Sequence, residues 1–452
     1  MADSPLLVVV LAAGKGVRMH SVLPKVMHPV GGRPMLSHVL AGAVSLGAER
    51  IAVVVGPDME PVSAEAARVA PQSEIFEQSE QFGTAHAVLA ALPALARHTG
   101  TVLVVFADSP LVEPATLRRM IGALDAGAHI AVLAFEPADP CGYGRLIVDA
   151  AGRVAAIREE KDASEAERGI RLCNAGAMAF RVSRLAELLA RIGNANAKGE
   201  YYLTDAPALA AAEGLVAVPV ICPAEEALGV NSRAQLAAAE AVFQRRARAR
   251  AMDGGATLIA PETVWFSHDT VLGRDVLVEP NVFFGPGVVI EDGAHIMANC
   301  HMVGARIRQG ARVGPFARLR PGADIGPTVH VGNFVEVKNA RLEAGAKANH
   351  LSYIGDGRVG AGANIGAGTI FCNYDGIDKH FTDVGQDAFV GSNSSLVAPV
   401  KIGDGAYIGS GSVITRDVEA DALALARSPQ DARSGWAAKF RRRKHNAKKK
   451  TP

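Results

Sequence analysis

The chain has 452 residues, of which 49% are hydrophobic and 21% are charged, and its formal net charge is +1. This composition indicates a globular protein of two or three domains and excludes a mainly disordered or collagen-like chain. No apolar run approaches the roughly 18 residues that span a bilayer, so a membrane protein is excluded as well.

Four apolar runs rich in β-forming residues lie in the first 229 residues, and Ala- and Leu-rich stretches with helical spacing lie between them. The runs are 6–12, 51–56, 101–108 and 130–135. Strands that alternate with helices predict a mostly parallel sheet. We therefore expect an α/β domain over residues 1–229.

A glycine-rich turn follows the first run directly. Gly14 and Gly16 let backbone N–H groups approach a polyphosphate, and Arg18 and Lys25 can neutralise its charge. The segment lacks the third glycine of a dinucleotide fingerprint and the G-K-[ST] of a Walker loop. It predicts a nucleotide cradle of another type, with a bare strand-to-helix turn as the alternative.

Asp108 closes the third run, at the edge of the predicted sheet where open α/β sheets bind ligands. A carboxylate there suits Mg²⁺, which takes one or two oxygen ligands from a protein and the others from phosphates and water. The competing interpretation of Asp108 is a loop cap. We expect it to hold the metal of a nucleotide site.

A helical arm is predicted within the linker 230–252. Ser232 and Gln235 form a capping-box start, and the residues that follow are rich in Ala, Leu, Gln and Arg. The arginines of this arm predict a solvated helix face rather than a nucleic-acid surface.

Beyond the arm, aliphatic or small residues recur every six positions in three in-phase runs, 276–300, 319–337 and 384–414. This period fits neither a helix nor an alternating strand, but it fits a solenoid of short strands with coils of about eighteen residues. We expect the solenoid over 257–427, in a domain of residues 253–452. A loop is predicted over 371–383, where the repeat stops.

Several candidate catalytic side chains lie inside this repeat. Arg320 and Lys338 are eighteen residues apart, so the predicted winding stacks two cations, which suits a sugar phosphate. His350 is a candidate general base because histidine titrates near neutral pH, and Glu336 is its expected neighbour one coil below. Surface charge and a structural histidine are the competing interpretations.

The five cysteines are odd in number and form no C-x-x-C pair, which favours a reducing cytoplasm over disulfide or zinc sites. Residues 439–450 carry eight Lys or Arg and no acid, which leaves 39 bases against 46 acids elsewhere. A flexible solvated tail is the favoured interpretation of this segment. Neither nucleic acid nor a membrane is expected as a partner.

Motifs spread along the chain carry a family resemblance. They are L-A-A-G-K-G-V-R-M, Q-F-G-T-A-H-A, A-D-S-P-L, G-Y-G-R, E-E-K-D, C-N-A-G and G-V-N-S-R, in this order before the hexapeptide solenoid. Together they closely resemble the bacterial bifunctional N-acetylglucosamine-1-phosphate uridylyltransferase / glucosamine-1-phosphate N-acetyltransferase family over nearly the whole chain. The resemblance implies a Rossmann-like nucleotidyltransferase domain, a helical arm and a left-handed parallel β-helix.

The resemblance also implies two consecutive reactions that make UDP-N-acetylglucosamine, a sugar donor for bacterial cell-wall polymers. Acetyl-CoA would first acetylate glucosamine-1-phosphate in the β-helix. In the N-terminal domain, a phosphate oxygen of the product would then attack the α-phosphorus of UTP and release pyrophosphate. No protein nucleophile is needed, and Lys25, Arg18 and Mg²⁺ would neutralise the developing charge.

For the uridylyltransferase, the resemblance implies three groups of residues. The uridine nucleotide and its phosphates would be bound by Leu11, Ala12, Ala13, Gly14, Lys25, Gln78, Gly83 and Thr84. The sugar nucleotide would be contacted by Gly144, Glu159, Asn174 and Asn231. The Mg²⁺ ion would be held by Asp108 and Asn231.

For the acetyltransferase, His350 would remove a proton as the amine of glucosamine-1-phosphate attacks the thioester. The amino-sugar phosphate would be bound by Arg320, Lys338, Tyr353 and Asn364, with Lys379 on the loop as an auxiliary group. The acetyl-CoA site would be lined by Ala367, Asn373, Tyr374, Ser392, Ser410 and Arg427. The Ala367 N–H is a candidate donor to the oxyanion.

Two other interpretations stay open at this point. One is a single-function sugar nucleotidyltransferase, such as an ADP-glucose or GDP-mannose pyrophosphorylase, whose solenoid serves assembly; His350, Arg320 and Lys338 argue against it. The other is a non-catalytic regulatory subunit of the same architecture, against which Lys25 and Asp108 argue. The resemblance further implies a homotrimer that holds acetyl-CoA between neighbouring subunits.

Overall fold

The computed structural model describes residues 4–448, which divide into two compact units. The first unit comprises residues 4–250 and 266–268, and the second comprises 251–265 and 269–448. Lys449 and Lys450 of the predicted basic tail lie outside the described residues. In the part of the chain that is described, no helix combines the length and apolarity that crossing a bilayer requires.

The first unit is built on a nine-stranded sheet and a small two-stranded ribbon. The strands are β1 (Leu6–Leu11), β2 (Pro29–Val30), β3 (Arg33–Pro34), β4 (Arg50–Val55), β5 (Ser73–Glu77), β6 (Thr101–Phe106), β7 (Ile130–Phe135), β8 (Arg145–Val148), β9 (Val154–Arg158), β10 (Cys173–Arg181) and β11 (Ala217–Ile221). The α-helices are α1 (Met35–Ser45), α2 (Glu60–Val69), α3 (Thr84–Ala90), α4 (Leu92–Leu95), α5 (Pro114–Asp125), α6 (Glu165–Arg168), α7 (Val182–Leu189), α8 (Ala206–Ala212) and α9 (Arg233–Asp253).

The main sheet has the strand order β11-β7-β10-β6-β1-β4-β5, and β8 and β9 extend from β10. Strand β1 pairs in parallel with β4 and β6, whereas β10 is antiparallel to both β6 and β7. The predicted α/β fold is confirmed. All pairings along the main path are parallel except those of β10.

Strand β1 shows why the first apolar run has no polar residue. Every second side chain from Leu6 packs in a core with α1, α2 and α5, and the side chains between them pack in a second core with α3, α4, α7 and α8. A strand that is buried on both faces has to be apolar throughout. Because β1 and β6 pair in parallel with Leu11 opposite Phe106, the segments that follow these two residues lie at the same edge of the sheet.

Helix α9 occupies the segment where the helical arm was predicted. Ser232 Oγ accepts a hydrogen bond from the backbone N–H of Gln235 at 3.3 Å. The side-chain oxygen Oε1 of Gln235 accepts a hydrogen bond from the N–H of Asn231 at 2.8 Å. In a capping box the donor would be the N–H of Ser232, one residue later. The cap therefore fixes the backbone of Asn231 directly ahead of the helix.

The second unit is a parallel β-helix. Its strands are β12 (Thr257–Leu258), β13 (Val271–Leu272), β14 (Leu277–Val278), β15 (Phe283–Phe284), β16 (Val289–Ile290), β17 (His295–Ile296), β18 (His301–Met302), β19 (Ala305–Ile307), β20 (Arg312–Val313), β21 (Arg318–Leu319), β22 (Ala323–Ile325), β23 (His330–Asn333), β24 (Glu336–Leu342), β25 (Lys347–His350), β26 (Tyr353–Val359), β27 (Asn364–Ile365), β28 (Ile370–Cys372), β29 (Thr382–Val384), β30 (Phe389–Val390), β31 (Ser395–Val397), β32 (Val400–Ile402), β33 (Tyr407–Ile408), β34 (Val413–Ile414) and β35 (Leu423–Ala424). Helix α10 (Trp436–Lys448) follows them.

The strands of the second unit stack in three parallel columns. The first is β12-β14-β17-β20-β23-β25-β27-β30-β33-β35. The other two columns share β24 and β26, which are long enough to take part in both. The predicted aliphatic positions fill the interior, from Val276 at 0% exposure to Ile414 at 4%. The predicted hexapeptide solenoid is therefore confirmed.

The coils of the β-helix are not uniform in length. Arg318 pairs with Glu336 eighteen residues later, whereas Glu336 pairs with Tyr353 seventeen residues later. Between β26 and β29 the offset grows to 25, because residues 373–381 leave the wall as a loop. The loop is shorter than the predicted 371–383, since Phe371 is fully buried in β28.

Candidate active sites

A cleft of about 260 Å³ lies in the first unit where β1 and β6 end. Its wall contains all the residues that the family resemblance implied for the uridine nucleotide, together with Asp108. These residues are Leu11, Ala12, Ala13, Gly14, Lys25, Gln78, Gly83 and Thr84. Residues from four separate stretches of chain thus surround one space, as a nucleotide site requires.

Lys25 joins the two side chains that were predicted to hold the metal. Its Nζ donates to Asn231 Oδ1 at 3.0 Å and also to Asp108 Oδ2. The side chains of Lys25 and Asp108 are only 10% and 18% exposed. The backbone N–H of Val230 donates to the Asp108 carbonyl at 2.9 Å, which anchors Asn231 beside β6.

This arrangement fits a divalent cation with few protein ligands. The oxygens of Asp108 and Asn231 already converge on one positive group, the ammonium of Lys25. No three His, Cys, Asp or Glu side chains in residues 4–448 are grouped to hold a metal. Two oxygen ligands, with the others from phosphates and water, are what Mg²⁺ takes in nucleotide sites.

The segment Tyr201–Thr204 supports the cleft, although none of its residues was predicted individually as part of the site. The backbone N–H of Tyr201 donates to the Phe82 carbonyl at 2.7 Å, and the N–H of Leu203 donates to Thr84 Oγ1 at 2.9 Å. Gly83 has φ +113°, and a Cβ there would lie 2.5 Å from the Tyr201 carbonyl oxygen. Glycine is required because the two backbones approach so closely.

Three of the four residues predicted for the sugar nucleotide, Gly144, Glu159 and Asn174, form a second group. The N–H of Asn174 donates to the Gly144 carbonyl at 2.8 Å, and Thr204 Oγ1 donates to Glu159 Oε1 at 3.1 Å. Burial raises the pKa of Glu159. Thr204 therefore connects this group to the segment that supports the nucleotide cleft.

Arg18, which was predicted to neutralise phosphate charge together with Lys25, does not line the cleft. It is exposed in a short 3-10 helix, Val17–Met19, outside the wall that Lys25 and Asp108 form. A glycine-rich turn fixes its neighbours in sequence but not the direction of a long side chain.

Arg145 is a buried cation whose position the sequence did not predict. It is 2% exposed, pairs with Glu160 at 2.8 Å, and donates to the Tyr143 carbonyl. It thereby links the G-Y-G-R motif, which contains Gly144, to the E-E-K-D motif, which contains Glu159. The sequence shows both motifs, but only pairing of β8 with β9 brings them together.

In the second unit, Arg320 and Lys338 stack as predicted. Leu319 pairs with Val337, so the two cations that follow them occupy equivalent positions in neighbouring coils. Each has a carboxylate partner that reduces their repulsion: Glu336 lies 2.9 Å from Arg320, and Asp356 lies 3.5 Å from Lys338.

Lys379 of the loop extends this group. It lies beside Lys338 in the same pocket, and this neighbouring positive charge lowers the pKa of Lys379. An open pocket lies here, lined by Pro321, Gly322, Lys338, Asn339, Asp356, Lys379, His380 and Phe381. Its cations suit a phosphate group.

His350 ends β25 and contacts Asn333, not Glu336. Its Nδ1 lies 2.6 Å from Asn333 Oδ1. The expectation that Glu336 is the neighbour below His350 is corrected, because the local coil has seventeen residues and places Glu336 under Tyr353. Because Nδ1–H donates to the side-chain amide oxygen Oδ1 of Asn333, Nε2 keeps the free lone pair that a base needs.

His350 shares one corner of the β-helix with part of the predicted acetyl-CoA set. The registers of β25, β27, β30 and β33 place His350, Ala367, Ser392 and Ser410 at equivalent points of four successive coils. Asn364 lies on β27, in the same column. These aligned positions form one continuous edge of the β-helix, along which an extended ligand fits.

The other predicted residues lie away from this corner. Tyr353 opens β26 across the turn from His350, and Asn373 and Tyr374 begin the loop. Arg427 is exposed beyond β35. No hydrogen bond or ion pair joins His350 to Arg320 or Lys338 within residues 4–448.

Comparisons with known proteins match both units. Residues 8–172 match the family model of the MobA-like NTP transferase domain, and residues 381–416 match that of the bacterial transferase hexapeptide (six repeats). The chain is 59% identical over 441 residues to the bifunctional protein GlmU of Xanthobacter autotrophicus, covering 98% of both chains. It is 59% identical to that of Rhodospirillum rubrum, covering 96% of both chains. The relatives therefore align with the two units together.

Proposed function

The chain belongs to the family of bifunctional GlmU proteins, a uridylyltransferase joined to an acetyltransferase, and from this premise we propose which residues perform each reaction. The single-function nucleotidyltransferase and the regulatory subunit are set aside, because nothing favours them over the bifunctional relatives. We propose residues 1–229 as the uridylyltransferase domain, 230–252 as the linker and 253–452 as the acetyltransferase domain.

The uridylyltransferase site is proposed at the cleft beside Lys25. The Lys25 ammonium, the Asp108 carboxylate and the Asn231 amide meet beside the wall that Leu11–Gly14 forms, and this contact is the main support for the proposal. Backbone donors of that turn and Lys25 would bind the phosphates of UTP, and Gln78, Gly83 and Thr84 would hold the uridine. The protein thus aligns two anions and reduces their repulsion.

The sugar phosphate would lie toward Gly144, Glu159 and Asn174. These residues are tied to the nucleotide wall through Thr204 and Leu203, so both substrates are held by one connected framework. Mg²⁺ is the proposed cofactor, with Asp108 and Asn231 as its protein ligands. When bound, it would neutralise phosphate charge that Lys25 alone cannot offset.

Removal of the metal should separate the two activities. Treating the enzyme with EDTA is expected to stop pyrophosphate release from UTP and N-acetylglucosamine-1-phosphate, and added Mg²⁺ should restore it. Release of free thiol from acetyl-CoA and glucosamine-1-phosphate should continue, because the proposed acetyl-transfer residues need no cation. Uridylyl transfer that persists at full rate in EDTA would contradict the metal assignment.

The acetyltransferase site is proposed around His350. His350 is aligned with Ala367, Ser392 and Ser410 on one corner of the β-helix, and this alignment is the main support for the proposal. Acetyl-CoA would lie along this corner. His350 Nε2 would take the proton from the attacking amine of glucosamine-1-phosphate as the nitrogen–carbonyl bond forms and the coenzyme A thiolate leaves. The Ala367 N–H would stabilise the oxyanion.

We also propose that the β-helix assembles as a homotrimer. Phe316, Phe334 and Leu351 form an apolar column at the corner next to His350, and they are 48%, 56% and 59% exposed. The Phe316 and Phe334 rings stack at 5.2 Å. A contiguous apolar stripe beside a catalytic residue is typical of a subunit contact.

The trimer is tested by the mass of the protein in solution. Sedimentation equilibrium is expected to give three times the chain mass of 47.0 kDa. Replacing both Phe316 and Phe334 with serine should lower the mass toward that of one chain and reduce acetyl transfer in parallel. A wild-type mass of 47.0 kDa with full acetyl transfer would contradict the proposal.

The cytoplasm is the proposed compartment of the protein, because its reducing environment suits five free thiols.

A further inference from the structure

Asp356 is a buried carboxylate of the β-helix that the family resemblance leaves without a role. It lies in β26, is 8% exposed, and has a left-handed backbone with φ +48°. Asp and Asn tolerate this conformation better than most residues. Backbone preference alone does not explain burial, since Asp387 has the same conformation, φ +53°, and is exposed.

Three donors from two neighbouring coils converge on this carboxylate. Asn339 Nδ2 donates to Asp356 Oδ1 at 2.7 Å, and Asn373 Nδ2 donates to Oδ2. These three residues are seventeen positions apart from one to the next, so they form a polar ladder through three coils. Lys338 Nζ lies 3.5 Å from Oδ2. Hydrogen bonds to an ionised acceptor are short and directional, so the donors are held in place.

The ladder connects the two substrate-binding groups of the proposed site. Lys338 belongs to the group for the amino-sugar phosphate, and Asn373 belongs to the group for acetyl-CoA. Asn373 Nδ2 also lies 3.5 Å from the Tyr353 hydroxyl. Lys379 lines the same pocket as Lys338 and Asp356, so this carboxylate lies beside two basic side chains.

The Asp356 carboxylate stays ionised in this setting. Burial raises its pKa, but the hydrogen bonds from Asn339 and Asn373 and the charge of Lys338 outweigh that effect and lower the pKa overall. Its full negative charge therefore faces Lys338 at neutral pH.

We propose that Asp356 is a positioning residue of the acetyltransferase site, which holds Lys338 toward the sugar phosphate and Asn373 toward acetyl-CoA. The inference rests on the proposed acetyl-transfer function of this unit and deepens it. Asp356 itself takes no proton and touches no reacting atom. Its carboxylate fixes one side chain of each substrate-binding group, Lys338 for the sugar phosphate and Asn373 for acetyl-CoA.

Asp356→Asn tests the proposal with the least change in shape. Asparagine tolerates φ +48°, but its Nδ2 donor would face the Asn373 donor or the Lys338 ammonium. We expect kcat/KM for acetyl transfer to fall by about 10- to 100-fold, with KM for glucosamine-1-phosphate rising more than kcat falls. Uridylyl transfer by the same molecules should not change, and neither should either activity of the matched control Asp387→Asn.

A swapped variant separates positioning from folding. In Asp356→Asn/Asn373→Asp, the ladder again alternates donor and acceptor, but the negative charge has moved one coil away from Lys338. We expect the swap to restore the wild-type melting temperature without restoring KM for glucosamine-1-phosphate. Recovery of both would show that the ladder serves folding alone and would overturn the proposal.

The remaining outcomes are also decisive. Wild-type KM values in Asp356→Asn would overturn the positioning role while leaving the proposed function intact. If the wild-type protein itself released no thiol from acetyl-CoA and glucosamine-1-phosphate, the proposed function would fail, and the inference would fail with it.

Discussion

Replacing His350 with alanine is expected to abolish acetyl transfer while uridylyl transfer continues at the wild-type rate. His350 Nδ1 is fixed by Asn333 at 2.6 Å, so Nε2 is the nitrogen available to accept the proton of the attacking amine. A positioned general base contributes about 10²- to 10⁴-fold to rate, and the loss should lie in this range. The measurement is thiol release from acetyl-CoA, with pyrophosphate release from UTP on the same preparation.

A matched histidine shows whether the effect is specific. His301→Ala removes an exposed imidazole from β18 of the same β-helix, where it stacks on Phe283, and should leave both activities unchanged. Asn333→Ala should give a smaller loss than His350→Ala, because the imidazole would remain but lose its fixed orientation. Acetyl transfer within about tenfold of wild type in His350→Ala would exclude the imidazole as the base.

Asp108→Ala is expected to produce the opposite result, with uridylyl transfer lost and acetyl transfer retained. The substitution removes the carboxylate that meets Lys25 and Asn231 and leaves only one of the two oxygens proposed for the metal. Removing one electrostatic group from such a site costs about 100-fold or more in rate. Pyrophosphate release at saturating UTP and Mg²⁺ measures the loss.

The control for Asp108 is an aspartate of the same domain that lies outside the cleft. Asp125 ends α5, its side chain is 57% exposed, and it pairs with Arg181. Asp125→Ala should keep both activities. Loss of both activities from Asp108→Ala, or from His350→Ala, would contradict two independent sites, since each residue lies in a different compact unit.

Sequence periodicity determined the architecture because it records burial directly. An aliphatic residue at every sixth position can be buried only if the chain turns a corner at each repeat, and positions from Val276 to Ile414 are buried as that pattern required. The apolar run Leu6–Leu11 likewise required a strand covered on both faces. The nucleotide cleft could also be predicted from the sequence, since the carboxyl ends of parallel strands meet at one edge of the sheet.

Only the tertiary structure decided which polar side chains meet in the β-helix. The hexapeptide period fixes the corners, but coils of seventeen and eighteen residues are both built from it, and that single residue decides whether Asn333 or Gly332 lies under His350. The burial of Arg145 and the ladder through Asp356 depend in the same way on register between distant strands. The period of apolar residues in the sequence reveals which apolar side chains are buried. A hydrogen bond, in contrast, is lost when a register shifts by one residue, so its partners are set only by the folded chain.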